Sequence, residues 1–148
     1  MDRVTLPGGV QVTPLKIIPL DAGNVMHAMK HEEDSFLGFG EAYFSSIQRS
    51  IVKGWKRHHK MTLNLVVPVG EIRFVIFDDR GDTQTSGEFF SVSLSVYNYQ
   101  RLTVPPMLWM AFQGIGEGQN LLLNIANIPH DPDEVEQKTL ESIPFNWN

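Results

Sequence analysis

The sequence contains no cysteine. That excludes disulfides, thiolate metal sites and a cysteine nucleophile. It also lacks any run of the roughly 18 apolar residues that a membrane-spanning helix requires. Its first residues, "MDRVTLPGGVQV", show neither the basic start nor the apolar run of a secretory leader. The expectation is a soluble, cytoplasmic protein with no membrane partner. Basic residues are outnumbered, 12 Lys and Arg against 17 Asp and Glu, giving a formal net charge of -5. Such a balance argues against a nucleic-acid partner. No Walker A sequence, G-x-S-x-G or G-x-G-x-x-G is present. The glycines of "GIGEG" (114–118) fall between strand signals with no helix after them, so a tight loop is expected.

What is present is β-forming text. The 148 residues suit one domain, 1–148, and 42% hydrophobic content supports a real core. "TLNLVVPVGEIRFVIFDDR" predicts two strands joined as a hairpin near Pro68–Gly70. In "EIRFVIF" the period of two puts Ile72, Phe74 and Ile76 on one face. In "FFSVSLSV", Phe90, Val92 and Leu94 alternate with serines. Eight to ten short strands separated by Gly and Pro turns predict an all-β sandwich or barrel. The best helix is C-terminal, "DPDEVEQKTLES", with Asp131 as cap and Pro132 in the first turn.

Against this background stands a local knot of charge, "KGWKRHHK", spanning 53 to 60. On an extended strand Lys56, His58 and Lys60 share one face, and Trp55, Arg57 and His59 share the other. If the first set points inward, the interior carries cations and an imidazole. That suits an anionic ligand such as a diphosphate, with histidine able to move protons near neutral pH. If not, the knot is a solvated edge strand, where lysines discourage unwanted pairing. No metal site is expected. His58 and His59 diverge on a strand, and no acid follows them until Glu71.

The blocks "YFSSIQRSIVKGWKRH", "VGEIRFVIFDDR", "DTQTSGEF", "LTVPPMLWMAFQGIG" and the closing "IPFNW" resemble, in order and spacing, the RmlC-like cupins. These are the proteins related to dTDP-4-dehydrorhamnose 3,5-epimerase and the sugar-nucleotide 3,4-ketoisomerases. The nearest resemblance is to a short epimerase-related subgroup that often reads W-H-x-H on the corresponding strand. The resemblance implies a jelly-roll β-sandwich with little helix, mainly a short C-terminal one, and a homodimer in which an N-terminal strand such as "VTLPGG" crosses to the partner. The phosphate-binding arginine of the family's "R-G-L-H" falls on Lys53, and its base histidine falls on Lys56. His58 matches the second histidine of W-H-x-H. Lys60 is the cation nearest the family's active-site lysine. The later histidine falls on Met110, and the acid tyrosine falls near Leu123 or Asn124 with no tyrosine close by.

Together these readings imply an isomerase or epimerase acting by enolisation on a nucleotide-linked 4-keto-6-deoxy sugar, in cell-surface polysaccharide synthesis, lipopolysaccharide included. No cofactor is expected. His58 is the expected acid or base and Lys56 the enolate stabiliser. Lys53 and Arg57 are expected on phosphate, with His59, Lys60, Tyr97, Tyr99 and Trp109 as further substrate contacts. Trp109 also suits a plain core position. The alternative is a non-catalytic nucleotide-sugar-binding cupin that has lost the histidine and tyrosine pair.

Overall fold

The computed structural model describes residues 6–148. Two five-stranded antiparallel sheets face one another. In the first, β1 (Gln11–Pro14), β9 (Gln100–Val104), β6 (Leu63–Val69), β11 (Leu121–Ala126) and β4 (Glu41–Ser46) lie side by side in that order. The second runs β12 (Val135–Gln137), β5 (Val52–His58), β10 (Trp109–Gly114), β7 (Glu71–Phe77) and β8 (Phe89–Ser95). A small ribbon pairs β2 (Ile17–Ile18) with β3 (Val25–Met26). This is the expected all-β jelly-roll sandwich.

Alternation builds the core. Ile72, Phe74 and Ile76 are fully buried between the sheets with Phe90 and Leu94, against Leu63, Leu65, Leu102 and Leu122. A second apolar layer lies on the outer side of the second sheet. There Trp55, Val75, Trp109 and Ala111 are covered by the chain's last residues, Ile143, Phe145 and Trp147. Strands β7 and β10 are thus apolar on both faces at their centres, which is why "FVIF" reads as a continuous run.

Two expectations change. The strands either side of Gly70 do not form a hairpin. β6 pairs with β9 and β11, whereas β7 pairs with β8 and β10. Gly70, at φ +79°, turns the chain from one sheet into the other, and a Cβ there would lie 2.3 Å from Asn120 Oδ1. The C-terminal helix is also absent. Asp131 does cap, accepting from Asp133 N at 3.0 Å, but the turn it starts is a single 3-10 turn, Pro132–Glu134. Val135–Gln137 then extends along β5, and a second 3-10 turn follows at Leu140–Ser142. Pairing with an open sheet edge outweighs a modest helix propensity. Of the N-terminal run "VTLPGG", its first two residues lie outside the described residues, and Gly8–Gly9 form a turn.

A loop folds over the outer face of the first sheet and is held by a buried polar network. Fully buried Arg101 donates to Ala28 O at 2.7 Å, Ser35 Oγ at 2.8 Å and Glu33 Oε2 at 2.6 Å. Asn64 and Thr103 extend it, with Asn64 Nδ2 donating to Ser35 O and Thr103 Oγ1 donating to Asn64 Oδ1. Removing one partner of such a pair leaves buried acceptors unmatched. Arg101→Met should therefore cost about 3 kcal/mol, read as a melting temperature lowered by roughly 6–12 °C. An unchanged melting temperature would show that the loop is held by other contacts.

Candidate active site

The inner face of β5 is set by a β-bulge. Lys56 pairs with Met110 and Lys53 with Phe112, so three steps along β5 match two along β10. Strict alternation would send Lys53 outward. The bulge returns it to the side of Lys56 and His58, and all three line one cavity of about 450 Å³. The cavity lies inside the sandwich, with the edge strands β4 and β12 among its walls. Leu63, Leu65, Leu108, Met110 and Phe112 make its floor apolar.

At one end His58 Nδ1 meets Glu134 Oε1. Glu134 is buried, and its other oxygen accepts from the backbone N–H of Lys60 at 3.0 Å and Met61 at 3.1 Å. Burial pushes its carboxyl pKa up, but the hydrogen bonds from His58, Lys60 and Met61 outweigh burial and hold it below the usual value. An ionised carboxylate only accepts, so Nδ1 carries the proton. Nε2 is left free to accept one, the arrangement a general base requires. Toward the other end Lys53 Nζ donates to Ser46 O at 2.8 Å and Ser45 Oγ at 3.1 Å.

The opposite wall carries a tyrosine that the sequence reading did not identify. Tyr43 on β4 is the direct cross-strand partner of Asn124 on β11. Asn124 Nδ2 donates to the Tyr43 hydroxyl at 3.1 Å, and both residues line the cavity. Asn124 Oδ1 is buried with no hydrogen-bond partner among the described residues. The alternation Glu41, Tyr43, Ser45 along β4 was a legible signal, since all three face the cavity. Glu134 was concealed by the helix reading, and His130, just before that segment, also lines the cavity.

The remaining expected site residues lie elsewhere. Arg57 points to the outer face, donating to Glu136 Oε2 at 2.8 and 2.6 Å and to Asp79 Oδ1 at 3.2 Å, with its guanidinium 4.7 Å from the Trp109 ring centre. His59 Nε2 is 2.8 Å from Glu136 Oε2. Lys60 is exposed outside the cavity. Trp109 is core, with its indole N–H on Asp79 at 2.9 Å. Tyr97 stands free at a turn, and Tyr99 donates to His27 O at 2.8 Å on the far side of the first sheet. The cationic knot is therefore divided. Its Lys53, Lys56 and His58 serve the interior, while Arg57 and His59 form an outer ion-pair layer. Among the described residues no three His, Asp or Glu converge as a metal site.

No protein-family model matches the chain. A crystal structure of a dTDP sugar isomerase from Desulfovibrio desulfuricans G20 superposes with a TM-score of 0.91 at 38% identity, covering 95% of this chain and 91% of that one. The chain belongs to the RmlC-like cupin family. Among curated relatives of this cupin is a probable low-salt glycan biosynthesis epimerase from Haloferax volcanii, 27% identical over 139 residues, 93% of this chain and 87% of that protein. Another is the spore coat polysaccharide biosynthesis protein SpsL of Bacillus subtilis, 26% identical over 144 residues, 95% of each chain.

Glu134 gives a pH prediction. Its folded pKa lies below the ordinary 4.5, so the stability it contributes is present above pH 4.5 and is lost as pH falls through the folded value. The melting-temperature gap between wild type and Glu134→Gln should be widest above pH 4.5 and close on further acidification. A gap independent of pH would show that Glu134 is not an ionised partner of His58.

Proposed function

We propose that this cupin isomerises or epimerises a nucleotide-linked keto sugar by enolisation, in polysaccharide biosynthesis. The observation that carries the reading is the His58–Glu134 pair at the end of a cavity that also holds two lysines. The named activities of the isomerase and glycan epimerase relatives support it. His58 Nε2 removes the proton on the carbon next to the ketone, and Glu134 stabilises the imidazolium that forms. The Lys56 ammonium offsets charge developing on the enolate oxygen. Lys53 holds the substrate's diphosphate. The Tyr43 hydroxyl, fixed by Asn124, supplies a proton from the facing wall. Delivery from that wall inverts a centre, whereas return from His58 to a neighbouring carbon moves the ketone. A thymidine diphosphate sugar, a 4-keto-6-deoxy one by resemblance, is the substrate class. The reading assigns the reaction to the cytoplasm and to precursors of cell-surface polymers, lipopolysaccharide among them.

We also infer a homodimer. The outer face of β4 and β11 exposes Phe44 at 65%, with Leu123 directly opposite it and Ile125 beside it. Apolar text on an edge strand and its neighbour suits a self-complementary interface. Sedimentation should show a dimer at micromolar concentration, and Phe44→Asp should give a folded monomer. A monomeric wild type would refute this.

The catalytic reading is tested by solvent deuterium entry into a panel of nucleotide-linked 4-keto sugars, followed by NMR. His58→Ala should lose about 10²–10⁴ in rate, with His59→Ala close to wild type because its imidazole lies on the outer layer. Tyr43→Phe should still exchange deuterium but yield product slowly. Full activity in His58→Ala would remove the assignment. No exchange by wild type across the panel would favour a binding protein.

A further inference from the structure

The two walls of the cavity come from different sheets. Lys56 and His58 stand on β5 of the second sheet, and Tyr43 and Asn124 stand on β4 and β11 of the first. An enolate is planar at the carbon that has lost its proton. Held between two walls, it shows one face to each. A proton returned by the wall that took it restores the centre or, on a neighbouring carbon, moves the ketone. A proton arriving from the facing wall inverts the centre. The outcome therefore depends on whether the facing wall holds a proton ready.

Leu63, Leu65 and Leu122 on that wall have no proton to give. Ser45 Oγ is engaged by Lys53 Nζ at 3.1 Å. Glu41 and Tyr43 are the ionisable groups there, and Tyr43 is the one fixed by a buried side chain. The direction of its bond matters. Asn124 Nδ2 donates to the Tyr43 oxygen at 3.1 Å, and the hydroxyl donates to no group among the described residues. An accepting amide would draw the hydroxyl proton to itself. A donating amide leaves that proton to the cavity and stabilises the charge left on oxygen once it has gone. Asn124 is only 1% exposed, and its Oδ1 has no hydrogen-bond partner among the described residues. Turning the amide over would pair Oδ1 and tie up the tyrosine proton. The structure has the other arrangement, with a buried acceptor left unmatched.

We infer that Asn124 is a positioning residue that commits this protein to inverting a carbon centre rather than moving the ketone. It does so by donating to Tyr43 from the neighbouring strand and so reserving the tyrosine proton for the enolate. The inference rests on the enolisation reading above and decides between its two outcomes. His58 Nε2 takes the proton, and the electron pair of the C–H bond becomes the enolate double bond as the carbonyl pair moves to oxygen. The Tyr43 O–H then gives its proton to the same carbon from the other face. The carbonyl re-forms, leaving an imidazolium and a tyrosinate held by Asn124. Transfer of one proton from His58 to Tyr43 through solvent restores the starting state.

The test compares Asn124→Leu, Asn124→Asp and Tyr43→Phe with wild type, with melting temperatures alongside. Leucine and aspartate are close to asparagine in size. Leucine offers no donor, and an ionised aspartate only accepts, so it would take up the tyrosine proton itself. Each protein is incubated in deuterium oxide with the nucleotide-linked 4-keto sugars, and NMR reads the configuration and the position of the ketone in every deuterated product. Wild type should give mainly the inverted sugar. The ratio of inverted to non-inverted deuterated product should fall at least about tenfold in both Asn124 variants, the size expected for one lost hydrogen bond to a developing charge. Adding Asn124→Leu to Tyr43→Phe should lower the ratio no further, because Asn124 acts through Tyr43. Asn124→Asp reads the same contact if Asn124→Leu fails to fold. A ratio unchanged in the folded Asn124 variants makes Asn124 a structural residue and overturns the inference. So does full inversion by Tyr43→Phe, which would pass the role to Glu41. A wild type that moves the ketone without inverting overturns it as well, yet leaves the enolisation reading intact. A wild type that exchanges no deuterium overturns both.

Discussion

The pairing of β12 with β5 is the contact on which the site depends. Val135 lies opposite His58, Glu136 opposite Arg57 and Gln137 opposite Lys56. Glu134 turns in beneath His58, while Glu136 turns out to Arg57 and His59. The 3-10 turn and the short strand that follows it thus supply one carboxylate to each face of the cationic knot. Without it, β5 would be an unpaired edge carrying adjacent positive charges, which repel one another and would leave the imidazole unoriented.

The short strand needs help to stay in place, since three residues of pairing supply little on their own. The chain beyond it provides that help. Lys138 N donates to Trp55 O at 3.0 Å, and the Trp55 indole donates to Leu140 O at 3.3 Å. Phe145 and Trp147 then close over the outer aromatic layer, with Arg73 packed against both rings. Apolar burial on the outside of the second sheet therefore fixes a carboxylate on its inside. Asp78 secures the facing loop in the same manner. Burial pushes its carboxyl up, but hydrogen bonds from Arg80, Thr85 and Thr83 hold it far below the usual range, and neighbouring Asp79 is left to meet Arg57 and Trp109.

Much of this was legible in the sequence. Period-two patterning gave the sandwich and put Ile72, Phe74 and Ile76 in its core. The division of Lys56 and His58 from Trp55 and Arg57 followed from strand geometry. What failed to read through was pairing between distant segments. The hairpin at Gly70 was a local inference, and each strand found better partners in a different sheet. The acids that balance the knot come from 76 and 79 positions further along the chain, where no local pattern links them to it. Tyr43 was visible as a residue but not as part of the site, because its significance depends on β4 lying beside β11.

The bulge in β5 explains why the knot carries so many cations in so few positions. A regular strand shows the interior every second residue, so only half of a charged run can reach a ligand. Placing Gly54 and Trp55 opposite Ala111 alone inserts an extra step, which lets Lys53 and Lys56 both face inward while Trp55 still anchors the outer layer. Lys53 is thereby separated from Lys56 and from His58 along a single strand. The order Lys53, Lys56, His58 becomes a spatial order along the cavity, ending at the His58–Glu134 pair. The strand can do this only because it is buried outside by aromatic residues and paired at its edge by β12. Its rigidity comes from one face and its chemistry from the other.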